Sequence, residues 1–167
     1  MGNKPDWIPT LVYLADYGGN WDSYLIAIYK FFRRDFIDSQ PKFRGERLKL
    51  KRYPVIDGKE ATFWHIISEG SYEPGRLPNL RKCERICWPH PIIESQEKEP
   101  LLKIWENTRD GETRICIWLS FDTEDYLVVI AKRKGYLLFW TAYPLIYENT
   151  KNKLQKEYDA YKARAAL

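Results

Sequence analysis

Histidine is the side chain best suited to move protons at neutral pH, and the 167-residue sequence contains two, His65 and His90. Apolar residues at helical spacing predict a helix over residues 60–69, and His65 lies off its buried stripe. Glu69 follows one helical turn later, where it could orient the imidazole. The spacing therefore favours His65 as a candidate proton carrier, although a surface Glu–His pair would give the same pattern.

Arginine and hydroxyl side chains form a second group of candidates. Arg85 and Arg114 fall in the middle of apolar segments that read as strands. A guanidinium on an open sheet face can hold a phosphate through paired hydrogen bonds, and cross-strand pairing with a carboxylate such as Glu84 is the alternative. Thr141 and Tyr143 share a face near the end of the last predicted strand, where hydroxyls could bind a phosphate and a ring could stack on a base.

Positive charge is concentrated between residues 42 and 52, where six basic residues stand against one acid. This pattern indicates either an edge strand protected by lysine or a strip that binds an anion. The candidate nucleic-acid-binding residues, in this segment and beyond it, are Arg44, Arg47, Lys49, Lys51, Arg52, Arg76, Arg81 and Arg133.

The candidate metal ligands are Cys83, Cys87, His90 and Cys116, since zinc accepts thiolate and imidazole ligands. On a strand rising about 3.3 Å per residue, Cys83 and Cys87 would stand ~13 Å apart, too far to share one ion. The sequence therefore predicts buried free cysteines, with no metal and no cofactor.

Composition limits the class of protein. The chain is 44% hydrophobic and 30% charged, with a formal net charge of +4, so it can bury a core and leans toward a polyanionic partner. No apolar run approaches the roughly 18 residues of a membrane span, and the first residues lack a secretory signal pattern. The odd number of cysteines favours a reducing compartment. We therefore expect a cytoplasmic protein without a membrane partner.

The periodicity along the chain predicts an α+β fold. N-terminal helices precede a four- to five-stranded antiparallel meander, and a C-terminal helix packs on the sheet. The predicted strands are 10–16, 83–88, 102–107, 113–120, 126–132 and 136–143. The predicted helices are 21–36, capped by Asn20, then 60–69, opened by a capping box from Asp57 to Glu60, and 150–163. Residues 71–82 read as a loop, and residues 92–102 as polar and irregular.

The order of these motifs resembles the barnase/EndoU/colicin/RelE-like superfamily of metal-independent endoribonucleases, particularly members found in phages and bacterial toxins. The resemblance covers about residues 57–146, which we expect to form the ribonuclease-like unit. Residues 1–56, a strand, a helix and the basic segment, have no counterpart there, and neither does the helical region 147–167. The resemblance is carried by FWHIISEG with His65, RICW with Arg85, TRICIWL with Arg114, and GYLLFWTAYPL with Thr141 and Tyr143.

This resemblance implies an active site on the open face of an antiparallel sheet. It also implies RNA cleavage by attack of the ribose 2′-hydroxyl, which leaves a cyclic phosphate. His65 would transfer a proton, Arg85 and Arg114 would stabilise charge on the phosphate, and Thr141 and Tyr143 would position it. RNA is then the expected substrate, with an inhibitor or antitoxin protein as a possible partner. A nucleic-acid-binding module that does not cut, or a protein-interaction module using the 7 Trp and 12 Tyr residues, are the alternatives.

Overall fold

A computed structural model shows an α+β fold built on one curled, mixed six-stranded sheet. It describes residues 4–70, 77–95, 101–122 and 124–167. The sheet has the strand order β1-β2-β8-β7-β6-β5. Its strands are β1 Lys42–Phe43, β2 Glu46–Lys49, β5 Leu102–Arg109, β6 Glu112–Phe121, β7 Glu124–Arg133 and β8 Tyr136–Pro144. A separate antiparallel pair joins β3 Ser68–Glu69 to β4 Leu77–Pro78.

The predicted meander is confirmed as β5 to β8, in which each strand pairs antiparallel with the next. The prediction of a purely antiparallel sheet is wrong, because β2 runs parallel to β8 with Leu48 opposite Leu137. β1 then pairs with β2 and forms the edge. The basic segment therefore adds two short strands to the sheet.

Five α-helices surround the sheet in the described part of the chain. They are α1 Trp21–Phe32, α2 Ala61–Ile67, α3 Leu80–Glu84, α4 Pro89–Glu94 and α5 Glu148–Ala165. Asn20 caps α1 as predicted, accepting a hydrogen bond from the Ser23 amide at 2.9 Å, and a π-helical turn, Arg33–Ile37, continues the helix. None of these helices is long and apolar enough to cross a membrane.

The sheet is covered on both faces. On one face, residues of β6, β7 and β8 pack with α1, α2, α3 and α4 into the main core, which includes Phe32, Phe63 and Phe139. On the other face, Trp105 and Trp118 form a second cluster with Leu154 of α5. The predicted C-terminal helix is confirmed, and its packing corrects the expectation of an open sheet face.

Two predicted strands are not strands. Residues 10–13 are irregular, and Leu14–Tyr17 form a 3-10 helix that ends at Gly18, which has a left-handed conformation. Residues 83–88 end α3 and pass through a turn into α4. Cys83, Ile86 and Cys87 are buried at helical spacing, so the alternating strand pattern predicted for this segment is wrong.

The predicted capping box is also wrong. Asp57 and Gly58 both have positive φ and close a tight turn in which Ile56 and Lys59 exchange two backbone hydrogen bonds of 3.0 Å. Asp-Gly is a preferred pair for such a turn, and it takes Asp57 away from the helix. Glu60 occupies the N-cap of α2 without a side-chain capping bond. Of the predicted loop 71–82, residues 71–76 lie outside the described residues, and the rest contains β4 and the start of α3. α4 ends at Glu94, inside the stretch 92–102 that was expected to be irregular.

The three cysteines are free and buried, as predicted. Cys83 and Cys87 belong to the main core, whereas Cys116 belongs to the cluster on the opposite face of the sheet. The zinc set considered from the sequence is therefore divided by the sheet.

The buried thiols provide a test of the core. Burial raises the pKa of Cys83 and Cys116 to about 12 and that of Cys87 to about 11. A thiol with a raised pKa stays protonated at mildly alkaline pH and is a poor nucleophile. We expect negligible alkylation by iodoacetamide in the native protein and three modified residues in guanidinium chloride, counted by mass spectrometry. Rapid native alkylation would contradict the packing.

Arg85 lies at the end of α3, not on a strand, and its guanidinium is buried. It donates to Glu124 at 2.7 Å and to the Arg81 carbonyl at 3.0 Å, and it lies 3.5 Å from Glu84. Glu124 begins β7, whereas Arg114 pairs with Ala131 near the other end of that strand. Arg85 therefore ties α3 to the sheet.

We expect Arg85→Ala to lower the free energy of unfolding by about 3 kcal/mol, because it removes one partner from a buried ion pair. Urea denaturation measures this change. Arg164→Ala, at the exposed end of α5, is the control and should shift stability by no more than about 0.5 kcal/mol. Equal effects of the two substitutions would contradict the structural role of Arg85.

Candidate functional site

β8 contains a bulge that determines which side chains face α5. Thr141 pairs with Val129 and Phe139 pairs with Ile130, which leaves Trp140 as the extra residue. Phe139 packs into the main core, whereas Trp140 packs against the cluster beneath α5. Thr141 lines a cavity on that same side. A bulge shifts the alternation by one residue, so Trp140 and Thr141 share a face.

Charged and titratable groups lie around the ring of Trp140. The His65 ring centroid lies 6.0 Å from that of Trp140. The Arg114 guanidinium carbon lies 4.9 Å from the Trp140 centroid, and that of Arg133 lies 5.8 Å away. Glu112 holds both arginines, accepting from Arg114 Nε at 3.3 Å and contacting Arg133 Nε. An imidazole and two guanidinium groups thus converge on one aromatic side chain.

Three cavities follow the second half of β8, and together we call them the β8 groove. The first, of about 40 Å³, is lined by Lys51, Ala61, Thr62, His65 and Trp140. The second, of about 210 Å³, is lined by Asn107, Arg109, Arg114, Cys116, Leu127, Val129, Trp140, Thr141, Tyr143 and Leu154. The third, of about 190 Å³, is lined by Glu69, Asn79, Arg81, Lys82, Tyr143, Pro144, Leu145, Ile146, Tyr147 and Thr150. The first and second cavities share Trp140 as a lining residue, and the second and third share Tyr143.

The short helix α2 holds His65 beside β8. The carbonyls of Arg52 and Lys51 accept hydrogen bonds from the amides of Ala61 and Thr62 at 3.0 and 2.9 Å. The Thr62 hydroxyl accepts from the Lys51 amide and donates to its carbonyl. These bonds satisfy amides that the first turn of a helix leaves free, and they fix a helix too short to be stable alone. The half-buried His65 is therefore placed by the end of the basic segment.

Two hydroxyls complete the second cavity. Thr141 is buried and Tyr143 is half-buried. The pKa of Tyr143 is raised by burial, although nearby Arg109 acts in the opposite direction. The phenol therefore stays protonated at neutral pH and can donate a hydrogen bond. Glu157 of α5 holds the wall of the cavity, accepting from Asn107 at 3.1 Å and from Arg109 at 3.4 Å.

The groove brings together His65, Arg114, Thr141 and Tyr143, four of the six residues predicted to act in catalysis. Arg85 is buried and ion-paired elsewhere. Glu69 is exposed on β3, because α2 ends at Ile67, so it is not one helical turn from His65. It lines the third cavity.

The predicted nucleic-acid-binding residues divide between two regions. Lys51 and Arg81 line cavities of the β8 groove, and Arg133 contacts the ring of Trp140. Four others lie on or just after the short strands β1 and β2, where Arg44 covers Phe43, Lys49 covers Tyr136, Arg47 is exposed, and Arg52 faces Glu60 at 3.8 Å. Arg76 lies outside the described residues.

The sequence did not single out Trp140, Glu112 or Lys82. Trp140 occurs within an apolar strand pattern, and a bulge leaves no mark in a single sequence. Lys82 lies where a loop was expected, and its ammonium group lies 5.8 Å from the Tyr143 ring centroid. Glu112 directly follows a Gly-containing turn, and a carboxylate in that place indicates only a solvent-exposed side chain. The alternation of the strands could have revealed that Glu112 and Arg114 share a face.

Protein-family models, curated protein sequences and solved structures were compared with the chain, and none matches it. Within the parts of the chain that the structure describes, no group of three or more His, Cys, Asp or Glu side chains could hold a metal ion. The function is therefore inferred from the β8 groove itself.

The role of Glu112 can be tested through stability. Glu112→Gln removes the carboxylate between Arg114 and Arg133, and we expect it to lower the free energy of unfolding by about 1 kcal/mol at low salt. The loss should shrink at ~1 M salt, where screening weakens ion pairs. Glu148→Gln is the matched control, since Glu148 is exposed and contacts only Lys151, at 3.6 Å, within the described residues. A salt-independent loss would contradict the ion-pair role.

Proposed function

We propose that the protein is a metal-independent endoribonuclease whose active site is formed by the first and second cavities of the β8 groove. One observation carries this proposal: His65 and Arg114 flank the same ring, Trp140, beside the hydroxyls of Thr141 and Tyr143. A proton carrier, positive charge and hydrogen-bond donors are the groups that cleavage of a phosphodiester by its own 2′-hydroxyl requires.

The reaction exchanges one phosphorus–oxygen bond for another. The ribose 2′-oxygen bonds to phosphorus and loses its proton, while the bond from phosphorus to the 5′-oxygen breaks and that oxygen gains a proton. The products are a 2′,3′-cyclic phosphate and a 5′-hydroxyl. His65, acting as base or as acid, moves one of these protons. Water or a second side chain of the groove moves the other.

Arg114 stabilises the negative charge that develops on the phosphate oxygens. Its Nε donates to Glu112 at 3.3 Å, and the residue lines the second cavity. Because Arg114 is half-buried, its charge is screened less than that of a surface arginine. Thr141 and the protonated Tyr143 supply neutral donors, so the site can bind a phosphate without a metal ion.

An active site in the β8 groove does not require the open sheet face that the resemblance implied. α5 covers the sheet at Trp105 and Leu154, but the cavities follow β8 between α5 and the α2–α3 side. β2 leaves β8 after Lys49, so the second half of β8 lies beside helices instead of another strand. The first and third cavities lie at this edge of the sheet, and the second extends beneath α5 across the face formed by β5 to β8.

The test is cleavage of single-stranded RNA in excess EDTA by the purified protein. We expect 2′,3′-cyclic phosphate ends, and we expect His65→Gln to lower the rate by about 10²- to 10⁴-fold because a proton-transfer group is lost. Circular dichroism and thermal unfolding should show that the variant is folded.

His90→Gln is the matched control. His90 is the other histidine of the chain and packs beside Phe36, with ring centroids 6.3 Å apart. It lines none of the three cavities of the groove. The variant should cut RNA at the wild-type rate if it folds. Full activity of His65→Gln would exclude the mechanism, and RNA binding without cleavage by the wild-type protein would favour a binding module.

A further inference from the structure

The third cavity of the β8 groove has the properties of a separate binding site. It lies beyond Tyr143, between the end of β8 and the start of α3, and its volume is about 190 Å³. Arg81 and Lys82 bring two positive charges to it against one negative charge from Glu69, and Tyr143 and Tyr147 bring two aromatic rings. The proposed proton carrier and phosphate-binding arginine line other cavities. The third cavity is therefore not needed for the bond-breaking step.

Apolar side chains are unusually exposed around this cavity. Tyr147 is 70% exposed and Ile146 is 56% exposed, and both line it. Leu80, next to Arg81, is 46% exposed, and Leu77, which pairs with Glu69 of the cavity wall, is 71% exposed. Clustered exposed apolar groups commonly mark a surface that a ligand covers.

We propose that the third cavity is a subsite for a nucleotide just outside the dinucleotide that contains the scissile bond, with its unpaired base on Tyr147 and its phosphate at Arg81. This inference rests on the proposed function and extends it to the substrate. Aromatic rings beside arginine and lysine are the combination with which proteins bind single-stranded nucleic acid. The third cavity shares the lining residue Tyr143 with the second cavity, so the two cavities are neighbours along β8.

The subsite requires a single-stranded substrate. In a duplex each base is paired and stacked, and it cannot reach a side cavity without being pulled out of the helix. A dinucleotide that spans the scissile bond fills only the central cavities, whereas a tetranucleotide also fills the third. Affinity should therefore rise with RNA length up to the point where the third cavity is filled.

The experiment measures binding without cleavage. Fluorescently labelled 2′-O-methyl RNA lacks the attacking hydroxyl, so dissociation constants for a dinucleotide, a tetranucleotide and a duplex can be measured by anisotropy. Tyr147→Ala should weaken tetranucleotide binding by about 5- to 150-fold, the range for loss of one base–aromatic stack. Arg81→Ala should weaken it and reduce its salt dependence, because one phosphate contact is lost.

Two controls show whether the loss is local. Tyr13→Ala removes another exposed tyrosine, and Arg164→Ala removes an exposed arginine near the end of α5; neither residue lines the third cavity. Both should keep wild-type affinity for the tetranucleotide. Tyr147→Ala and Arg81→Ala should keep wild-type affinity for the dinucleotide, which also shows that they fold.

The outcomes separate this inference from the proposed function. Wild-type tetranucleotide affinity in Tyr147→Ala and Arg81→Ala overturns the subsite, even if His65 proves essential for cleavage. Equal wild-type affinity for duplex and single strand also overturns it. Length-dependent binding that both variants abolish supports the subsite, even if no RNA is cut. If no RNA binds, both proposals fail, and the apolar patch is then better explained by a protein partner.

Discussion

The candidate site depends on one extra residue in β8. Without the bulge, the alternation that puts Phe139 into the main core would also put Thr141 and Tyr143 there. The bulge reverses this phase, so that Trp140, Thr141 and Tyr143 all face α5 while Ala142 returns to the core. A local irregularity in backbone pairing thereby gathers an aromatic ring and two hydroxyls on one surface.

The second constraint is the early departure of β2 from the sheet. Because β2 pairs with β8 only at its start, the rest of β8 has α2 and α3 as neighbours. Because helices occupy the place of a further strand there, His65 of α2 and Arg81 and Lys82 of α3 line the β8 groove. The backbone bonds from Lys51 to α2 then link the basic segment to the position of His65. The basic segment therefore both brings the positive charge of Lys51 to the groove and fixes the position of His65.

Local patterns predicted the C-terminal half of the fold well. Alternation and Gly-containing turns defined four consecutive strands, and apolar spacing defined α5 with Leu154 on its buried face. The parallel pairing of β2 could not be predicted, because four residues carry too little pattern to select a partner so distant in sequence. The segment from Cys83 to Trp88 was assigned the wrong period, because a short apolar run fits a strand and a buried helix end equally.

The chemistry of the side chains predicted the residues of the site better than their predicted secondary structure did. His65, Arg114, Thr141 and Tyr143 were chosen for what their side chains can do, and the fold gathers them along β8. Arg85 was chosen on the same grounds, but its place depended on a strand that does not form. The role of Trp140 follows from tertiary structure alone, since the groups that surround its ring come from parts of the chain distant in sequence.

The attachment of α5 has a consequence for motion in the groove. Leu154 is the one residue of this helix buried in the structure, and polar contacts such as Lys151 to Asp125 at 3.1 Å fasten much of the rest. A helix held this way opens at a lower free-energy cost than the central strands β6 and β7, so its amides should exchange with solvent hydrogen first. Because Leu154 also lines the second cavity, each such opening would enlarge the space around Arg114 and allow a larger ligand to enter.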